Sequence, residues 1–265
     1  MIVFPNAKIN IGLNITEKRK DGLHNLESIF YPINWIDILE INKSDVFEFT
    51  TSGLAIDSNL KNNLVVKAYN LIRDNYKITP CKIHLHKQIP MGAGLGGGSA
   101  DASFTLTTLN ILFNLKISNN ELEALAGTLG SDCPFFIQNK PKLTKGKGEL
   151  LSDIKIDLSE FYIKLINPNI HISTKEAFKG ITPKINATYF SNFSIDLLTH
   201  DSLFVNDFES SVFPKHPILK EIKYKLQSEG AFYSSMSGTG STIYGLFKNK
   251  PQLTFSNFIE KIIKL

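Results

Sequence analysis

Apolar residues fall at every second position through Ile9, Ile11, Leu13 and Ile15, a period that predicts a strand over residues 2–15. Lys8, Asn10, Gly12 and Asn14 share its other face, which is either a solvated surface or the polar wall of a cleft. Further strands are expected at 26–41 and 45–50, after a turn at Lys18–His24 with Asp21-Gly22 at its tip. Leu64, Ala68, Leu71 and Ile72 recur at helical spacing and predict a helix over 62–75. A strand at 81–87 precedes a helix at 99–115, whose Ala102, Leu106, Leu109 and Leu112 face inward. Ser118 and Glu121 form a capping box for the next helix, which Gly130 ends. Residues 139–148 are polar and glycine-containing, and are read as the approach to a domain boundary. The second half predicts a strand at 161–167, a helix at 216–229, and strands at 231–234 and 242–247 around a turn at 237–240. The pattern is α+β, in two lobes with a cleft between them, divided here as 1–150 and 151–265.

Composition narrows the class. With 42% hydrophobic and 20% charged residues over 265 positions, the chain reads as a globular protein with a sizeable core. No apolar run reaches the roughly 18 residues a membrane span needs, and the N-terminus lacks a signal-peptide pattern. The two cysteines, Cys81 and Cys133, are far apart and read as reduced thiols of a cytoplasmic protein. The net charge of +4 is carried almost wholly by lysine, Arg19 and Arg73 being the only arginines. Nucleic-acid readers concentrate arginine and interleave aromatics, so the expected partner is a small anionic molecule, not nucleic acid or a membrane.

One stretch carries the strongest chemical signal. Pro90-Met91-Gly92-Ala93-Gly94-Leu95-Gly96-Gly97-Gly98-Ser99-Ala100 places five glycines within seven residues, immediately before a helix. Such density costs backbone entropy and implies positive φ or close approach of a ligand to the main chain. The helix start adds unpaired N–H groups and a positive dipole end, so the pair makes an anion site, most often for phosphate. No Gly-Lys-Ser/Thr ends the loop, which excludes a Walker A motif. The acidic residue that a dinucleotide fold places about 20 positions on is missing. The protein-kinase set is also missing, Asp207-Phe208-Glu209 being only a near match to one of its motifs.

Two further segments have both a structural and a chemical reading. Asp132, in Gly130-Ser131-Asp132-Cys133-Pro134, is either a helix cap or a general base that takes a hydroxyl proton. Lys8 is a candidate partner for it. Ser237-Gly238-Thr239-Gly240-Ser241 is either a plain hairpin turn or a second loop that closes over phosphates. His84 and His86 share a strand face but have no third ligand in view, so no metal site is assigned to them.

Taken together, Pro90–Ala100, Ser237–Ser241 and Ala7-Lys8-Ile9-Asn10-Ile11 resemble the GHMP kinases, a superfamily of small-molecule kinases. Arg19-Lys20-Asp21-Gly22-Leu23-His24, Asn63-Leu64-Val65, Leu129–Pro134 and Asn206-Asp207-Phe208-Glu209 extend the similarity over nearly the whole chain. They narrow it to the branch that phosphorylates the 2-hydroxyl of 4-diphosphocytidyl-2-C-methyl-D-erythritol in the non-mevalonate isoprenoid pathway. The resemblance implies a left-handed β-α-β unit in the N-terminal lobe and a ferredoxin-like C-terminal lobe.

It also implies roles. Asp132 would be the catalytic base and Lys8 its partner. Pro90–Ala100 would hold the ATP phosphates, with Asn63 and Lys87 near the adenosine. Asn10, His24, Thr174 and Phe178 would contact the substrate, His24 at the cytosine, and Gly238, Thr239 and Gly240 would complete the site. Mg²⁺ would be held mostly by ATP and water, Ser99 being the one candidate protein ligand. The branch usually has Tyr where this chain has Leu23, which removes an aromatic face from the base and leaves Phe178 on its other side. Ala93 stands where many relatives have Gly, which requires negative φ there. The competing readings are a kinase for another alcohol, such as mevalonate or homoserine, and a nucleotide-binding module without turnover.

Overall fold

The computed structural model describes residues 1–56, 62–183, 190, 193–199 and 204–265. They form two compact units that interleave along the chain. Unit 1 is Met1–Ala7, Trp35–Met91 and Gly96–Lys140; unit 2 is Lys8–Asn34, Gly92–Leu95 and Pro141–Leu265.

Unit 1 is a four-stranded sheet covered by helices. The strands are β1 (Ile2–Val3), β4 (Ile38–Lys43), β5 (Glu48–Gly53) and β6 (Cys81–Lys87), in the order β1-β4-β6-β5. β5 and β6 run parallel and are joined through α1 (Leu64–Tyr76), so they form a β-α-β unit; the other pairs are antiparallel. β6 alternates as its sequence dictates: Cys81, Ile83, Leu85 and Lys87 point into the core, while His84 and His86 face outward. On that outer face Ser52 Oγ bridges His84 Nε2 and His86 Nδ1, each at 2.9 Å. Leu39, Ile41, Ile83 and Leu85 pack against Val65, Ala68 and Ile72 of α1 and Ala102, Leu106 and Leu109 of α2 (Gly97–Leu112). Each fully buried Leu, Ile or Val among them contributes roughly 1.5–3 kcal/mol.

The expected capping box is present on α3 (Asn119–Leu129): the Glu121 amide donates to Ser118 Oγ, and the Ser118 amide donates to Glu121 Oε2 at 2.9 Å. Beyond Gly130 lies a helix that periodicity did not reveal, α4 (Cys133–Gln138). It is a turn and a half long and carries Pro134 near its start, where proline is tolerated because the first N–H groups lack partners anyway.

Unit 2 holds two sheets. One has the order β2-β3-β7-β8, from β2 (Asn6–Lys18), β3 (His24–Ile36), β7 (Lys142–Lys145) and β8 (Leu150–Asp153). The expected first strand is thus interrupted at Phe4-Pro5, and β2 begins after it. The polar stretch 139–148, read above as leading to a boundary, contains the point where unit 1 ends, at Lys140, and supplies the first strand and the turn of the β7–β8 hairpin, with Gly146 and Gly148 at positive φ.

The other sheet has the order β10-β11-β9-β12, all antiparallel, from β9 (Tyr162–Asn167), β10 (Tyr233–Met236), β11 (Ile243–Phe247) and β12 (Ile259–Lys264). Counted from β9 this is fourth-first-third-second, the strand order of a ferredoxin-like unit. The described residues between β9 and β10 include the short α5 (Thr174–Phe178) and α6 (Phe208–Val212) and the longer α7 (Pro217–Ser228), which packs on the sheet through Leu219, Ile222 and Leu226. The segment between β11 and β12 contains no helix.

Candidate active site

In unit 2 the two glycine loops meet. Gly92 and Gly94 have φ of +63° and +77°, and Ala93 between them avoids the positive region, as its side chain requires. A Cβ on Gly94 would lie 1.9 Å from the Ser237 carbonyl oxygen, so only glycine fits beneath the β10–β11 hairpin. Ser237 Oγ donates to the Gly94 carbonyl at 2.8 Å, and the Thr242 amide donates to the Ala93 carbonyl at 3.3 Å. The hairpin is closed by the Ser237 amide on the Thr242 carbonyl. Gly238, Thr239 and Gly240 form its tip, Thr239 being half-buried.

Asn206 holds this hairpin from beneath, donating from Nδ2 to the Met236 and Gly238 carbonyls, each at 2.7 Å. Next to it, Asp207 Oδ2 accepts the Ile15 amide, and Glu209 Oε1 accepts the Met236 amide. The Asn206–Glu209 segment therefore fixes the hairpin to β2. Sequence reading singled it out by resemblance but gave it no task.

The polar face of β2 is buried, not solvated. Lys8, Asn10 and Asn14 are all nearly inaccessible, and Lys8 Nζ donates to Asn10 Oδ1 at 2.6 Å. Asn10 Nδ2 donates to Ser28 Oγ at 2.9 Å, and the Ser28 hydroxyl donates to the Gly12 carbonyl. The Lys8 ammonium also stands 4.5 Å from the centre of the Phe30 ring. Both ends of the Asn10 amide are thus engaged by protein groups, so Asn10 orients Lys8. Its main chain is held as well, by Ser237 Oγ at the amide and the Tyr244 hydroxyl at the carbonyl.

His24 stacks directly on Phe178, ring centres 4.7 Å apart and planes inclined by 21°, and Phe178 meets Phe208 edge-on. Burial, with a smaller effect of Lys18, holds the His24 imidazole below its ordinary range, so it is neutral at pH 7. Leu23 lies exposed beside it, its amide donating to Asp21 Oδ1. Thr174 opens α5, is exposed, and follows the capping Ser173. His171, passed over in the sequence, borders the glycine loop: a Cβ on Gly92 would lie 3.3 Å from its Nδ1.

In unit 1 the loop continues into α2. Gly96 is the N-cap residue with φ of +69° and offers no side chain, so the first N–H groups of the helix, at Gly97, Gly98 and Ser99, have no intrahelical acceptor. Pro90 is buried and Met91 is exposed before the chain crosses to unit 2. Ala100 is wholly buried and donates its amide to the Gly96 carbonyl. Ser99 is the third helical residue, and its hydroxyl borders the Cys133 thiol, which burial pushes up to about 11.

Asp132 takes the N-cap position of α4, but its side chain makes no capping hydrogen bond, and it is half-buried. The capping role that competed with a chemical one is therefore not what its carboxylate does. Ser103, buried within α2, donates to the Ser99 carbonyl at 2.9 Å and the Cys133 carbonyl at 2.7 Å. It ties the phosphate-type helix start to the residue that follows Asp132.

The two residues expected near adenosine are each engaged by protein groups. Asn63 caps α1, its side chain accepting the Val65 amide at 2.8 Å. Lys87 is 1% exposed, its ammonium shared between Asp37 and Asp101. Its side chain is part of the floor under α2 and does not line the surface.

Among known proteins, the profile of the GHMP kinases N terminal domain matches residues 63–140, and that of the GHMP kinases C terminal matches 194–255. The 4-diphosphocytidyl-2-C-methyl-D-erythritol kinase of Azobacteroides pseudotrichonymphae is 48% identical, covering 99% of this chain and 100% of the relative. That of Parabacteroides distasonis is 47% identical over 97% of each. A crystal structure of 4-(cytidine 5'-diphospho)-2C-methyl-D-erythritol kinase superposes with a TM-score of 0.81 at 29% identity, over 93% of this chain and 90% of that one. At this identity over nearly the full length of both chains, and with both domain profiles matched, the chain belongs to the 4-diphosphocytidyl-2-C-methyl-D-erythritol kinases, within the GHMP kinase superfamily.

Proposed function

We propose that this enzyme transfers the γ-phosphoryl group of ATP to the 2-hydroxyl of 4-diphosphocytidyl-2-C-methyl-D-erythritol. The observation that carries the phosphoryl-transfer reading is the loop at Gly92–Gly96. Its alternate glycines hold positive φ and deliver the chain to a helix whose first amides are unpaired. That is a backbone cradle for phosphate at the positive end of a helix dipole. The acceptor is the molecule for which the relatives are named.

Asp132 accepts the hydroxyl proton as the oxygen attacks the γ-phosphorus in line. Its carboxylate makes no capping hydrogen bond, and Ser103 fixes the backbone beside it. Lys8, held by Asn10 and Phe30, keeps a cation for the developing charge. His24 and Phe178 form the aromatic floor for the cytosine, and Thr174 lies at the start of the helix that carries Phe178. Gly238, Thr239 and Gly240, at the tip of the β10–β11 hairpin pressed on Gly94, complete the phosphate side.

Mg²⁺ supplies charge compensation on the triphosphate when bound. The hard oxygen donors on offer beside the α2 start are the Ser99 hydroxyl and the Asp132 carboxylate. Among the described residues there is no cluster of three or more metal-binding side chains. That donor set fits an ion held chiefly by phosphate and water. In terms of family modules, 1–150 is the N-terminal kinase domain and 151–265 the C-terminal one, and the enzyme works in the cytoplasm.

The test is ADP release with Mg-ATP and each of three alcohols: the cytidyl substrate, mevalonate and homoserine. Release with the cytidyl substrate alone is expected. Release with another alcohol overturns the acceptor, and ATP binding without release on any of them overturns the catalytic reading.

A further inference from the structure

β9 ends at Asn167, and α5 begins after the capping Ser173. The link between them is fastened to the β10–β11 hairpin at both ends. Asn167, buried, donates from Nδ2 to Thr242 Oγ1 at 3.0 Å, and its Oδ1 accepts the Asn169 amide at 2.8 Å. Ile172, also buried, packs on the hairpin tip: a Cβ on Gly240 would lie 3.1 Å from Ile172 Cδ1. Between these anchors stands His171, which is exposed and makes no hydrogen bond or ion pair to the described residues.

The His171 ring borders the phosphate loop. A Cβ on Gly92 would lie 3.3 Å from its Nδ1 and 3.6 Å from its Cε1. The same stretch of loop is tied to the hairpin, the Thr242 amide donating to the Ala93 carbonyl at 3.3 Å. His171 therefore stands where the first glycines of the loop, the hairpin tip and the approach to α5 converge, all within unit 2.

An imidazole offers N–H donors to phosphate oxygens, and a charge when protonated. Here its main chain is pinned while its ring is left without a protein partner, which equips it for a ligand more than for the fold. Two phosphate groups come to this enzyme, the triphosphate of ATP and the diphosphate of the cytidyl substrate. The unpaired amides that suit ATP belong to the start of α2, at Gly97, Gly98 and Ser99. His171 lies at the other end of the loop, and the helix that follows it carries Phe178, the floor given to the cytosine. α5 is five residues long, so it advances the chain by only about 7 Å. The substrate runs from cytosine through ribose and diphosphate to the reacting erythritol, so its diphosphate lies between the cytosine floor and the phosphate loop.

We infer that His171 is a further substrate-binding residue, whose imidazole donates to the diphosphate joining cytidine to methylerythritol. This rests on the reading that the acceptor is the cytidyl molecule. The contact contributes to specificity as well as affinity, because mevalonate and homoserine carry no diphosphate to meet it.

The experiment compares wild type, His171→Ala and His171→Gln in KM for ATP, KM for the cytidyl substrate, and Ki for CDP and cytidine as competing ligands. Both variants should melt at the wild-type temperature, since the side chain is exposed. His171→Ala is expected to raise KM for the cytidyl substrate and Ki for CDP at least about threefold, the loss of one hydrogen bond to a charged group. KM for ATP and Ki for cytidine, which lacks the diphosphate, should hold, and His171→Gln, which keeps a donor, should recover part of the loss. An unchanged KM for the substrate overturns the inference. So does an equal loss for cytidine and CDP, which marks a ring that only packs on the loop. A rise confined to KM for ATP overturns it too, giving the imidazole to the triphosphate. CDP that fails to compete with the substrate in the wild type sinks the cytidyl reading itself, whereas CDP that binds wild type and His171→Ala alike sinks only the role of His171.

Discussion

The Ser237 carbonyl oxygen occupies the place where a side chain on Gly94 would begin, 1.9 Å from an ideal Cβ, and Ser237 Oγ returns a hydrogen bond to the Gly94 carbonyl. Residues 143 positions apart are thus pressed main chain to main chain. Gly94→Ala must either displace the hairpin or leave φ of +77°, and the loop cannot keep its present shape. The expected result is a rise in KM for ATP of at least about tenfold, with a lowered melting temperature, read by steady-state kinetics and thermal unfolding. Ser237→Ala, which removes the hydroxyl and spares the backbone, should cost only ~1 kcal/mol.

Asp132 is the residue on which turnover should depend most. Asp132→Asn keeps the size and the N-cap position of the side chain but removes the proton acceptor. We expect kcat to fall by at least about 10²-fold, the low end for a general base. ATP affinity, measured by calorimetry, should stay within about threefold of wild type, since the phosphates are held by backbone amides. Full activity in Asp132→Asn would remove this carboxylate from the mechanism.

Ser103 tests whether the position of the base matters as well as its presence. Its hydroxyl is wholly buried and serves two carbonyls, one on each side of the junction between α2 and α4. Ser103→Ala should lower stability by ~1–2 kcal/mol. If the bond only supported the fold, kinetics at a temperature well below melting would be unchanged. If it aims the Asp132 segment, kcat should drop about tenfold while KM for ATP holds, because a small misplacement of a catalytic group is costly.

How much of this was legible in the sequence depends on whether the signal was local. The β6 alternation, the α3 capping box and the positive-φ glycines around Ala93 follow from local rules, and each is found where the residues put it. The short α4 was not, because a six-residue helix with an early proline has no period to read. The β7–β8 hairpin was hidden in the same way: its two four-residue strands have no period to read, and Gly146 and Gly148 are turn residues between them. Lys8 and Asn10 were visible as a polar strand face, but not their burial, which depends on Phe30 and Ser28 from the next strand. The case of Lys87 is the clearest. The resemblance put it near the adenosine; its ion-pair partners Asp37 and Asp101 lie 50 and 14 positions away, and no spacing rule connects them.

Leu23 is the one substitution in the site whose effect the geometry lets us reason through. It is 47% exposed and follows a turn fixed by Arg19, Asp21 and Gly22, so a larger ring there meets no packed neighbour to displace. Beside it the His24–Phe178 stack already presents an aromatic surface. A tyrosine at 23 would offer a second one to the cytosine without touching the phosphates or Asp132. An added aromatic contact is worth ~0.5–1.5 kcal/mol, so Leu23→Tyr should lower KM for the cytidyl substrate by about two- to tenfold. Neither kcat nor KM for ATP should move, because the base is remote from the transferred group and the contact is made equally in the ground and transition states. Phe178→Ala should do the reverse, raising KM for the substrate. It should also cost stability through the lost packing on His24 and Phe208. If Leu23→Tyr changes kcat and leaves KM alone, the cytosine does not lie on this face of unit 2, and the aromatic pair must be given another task.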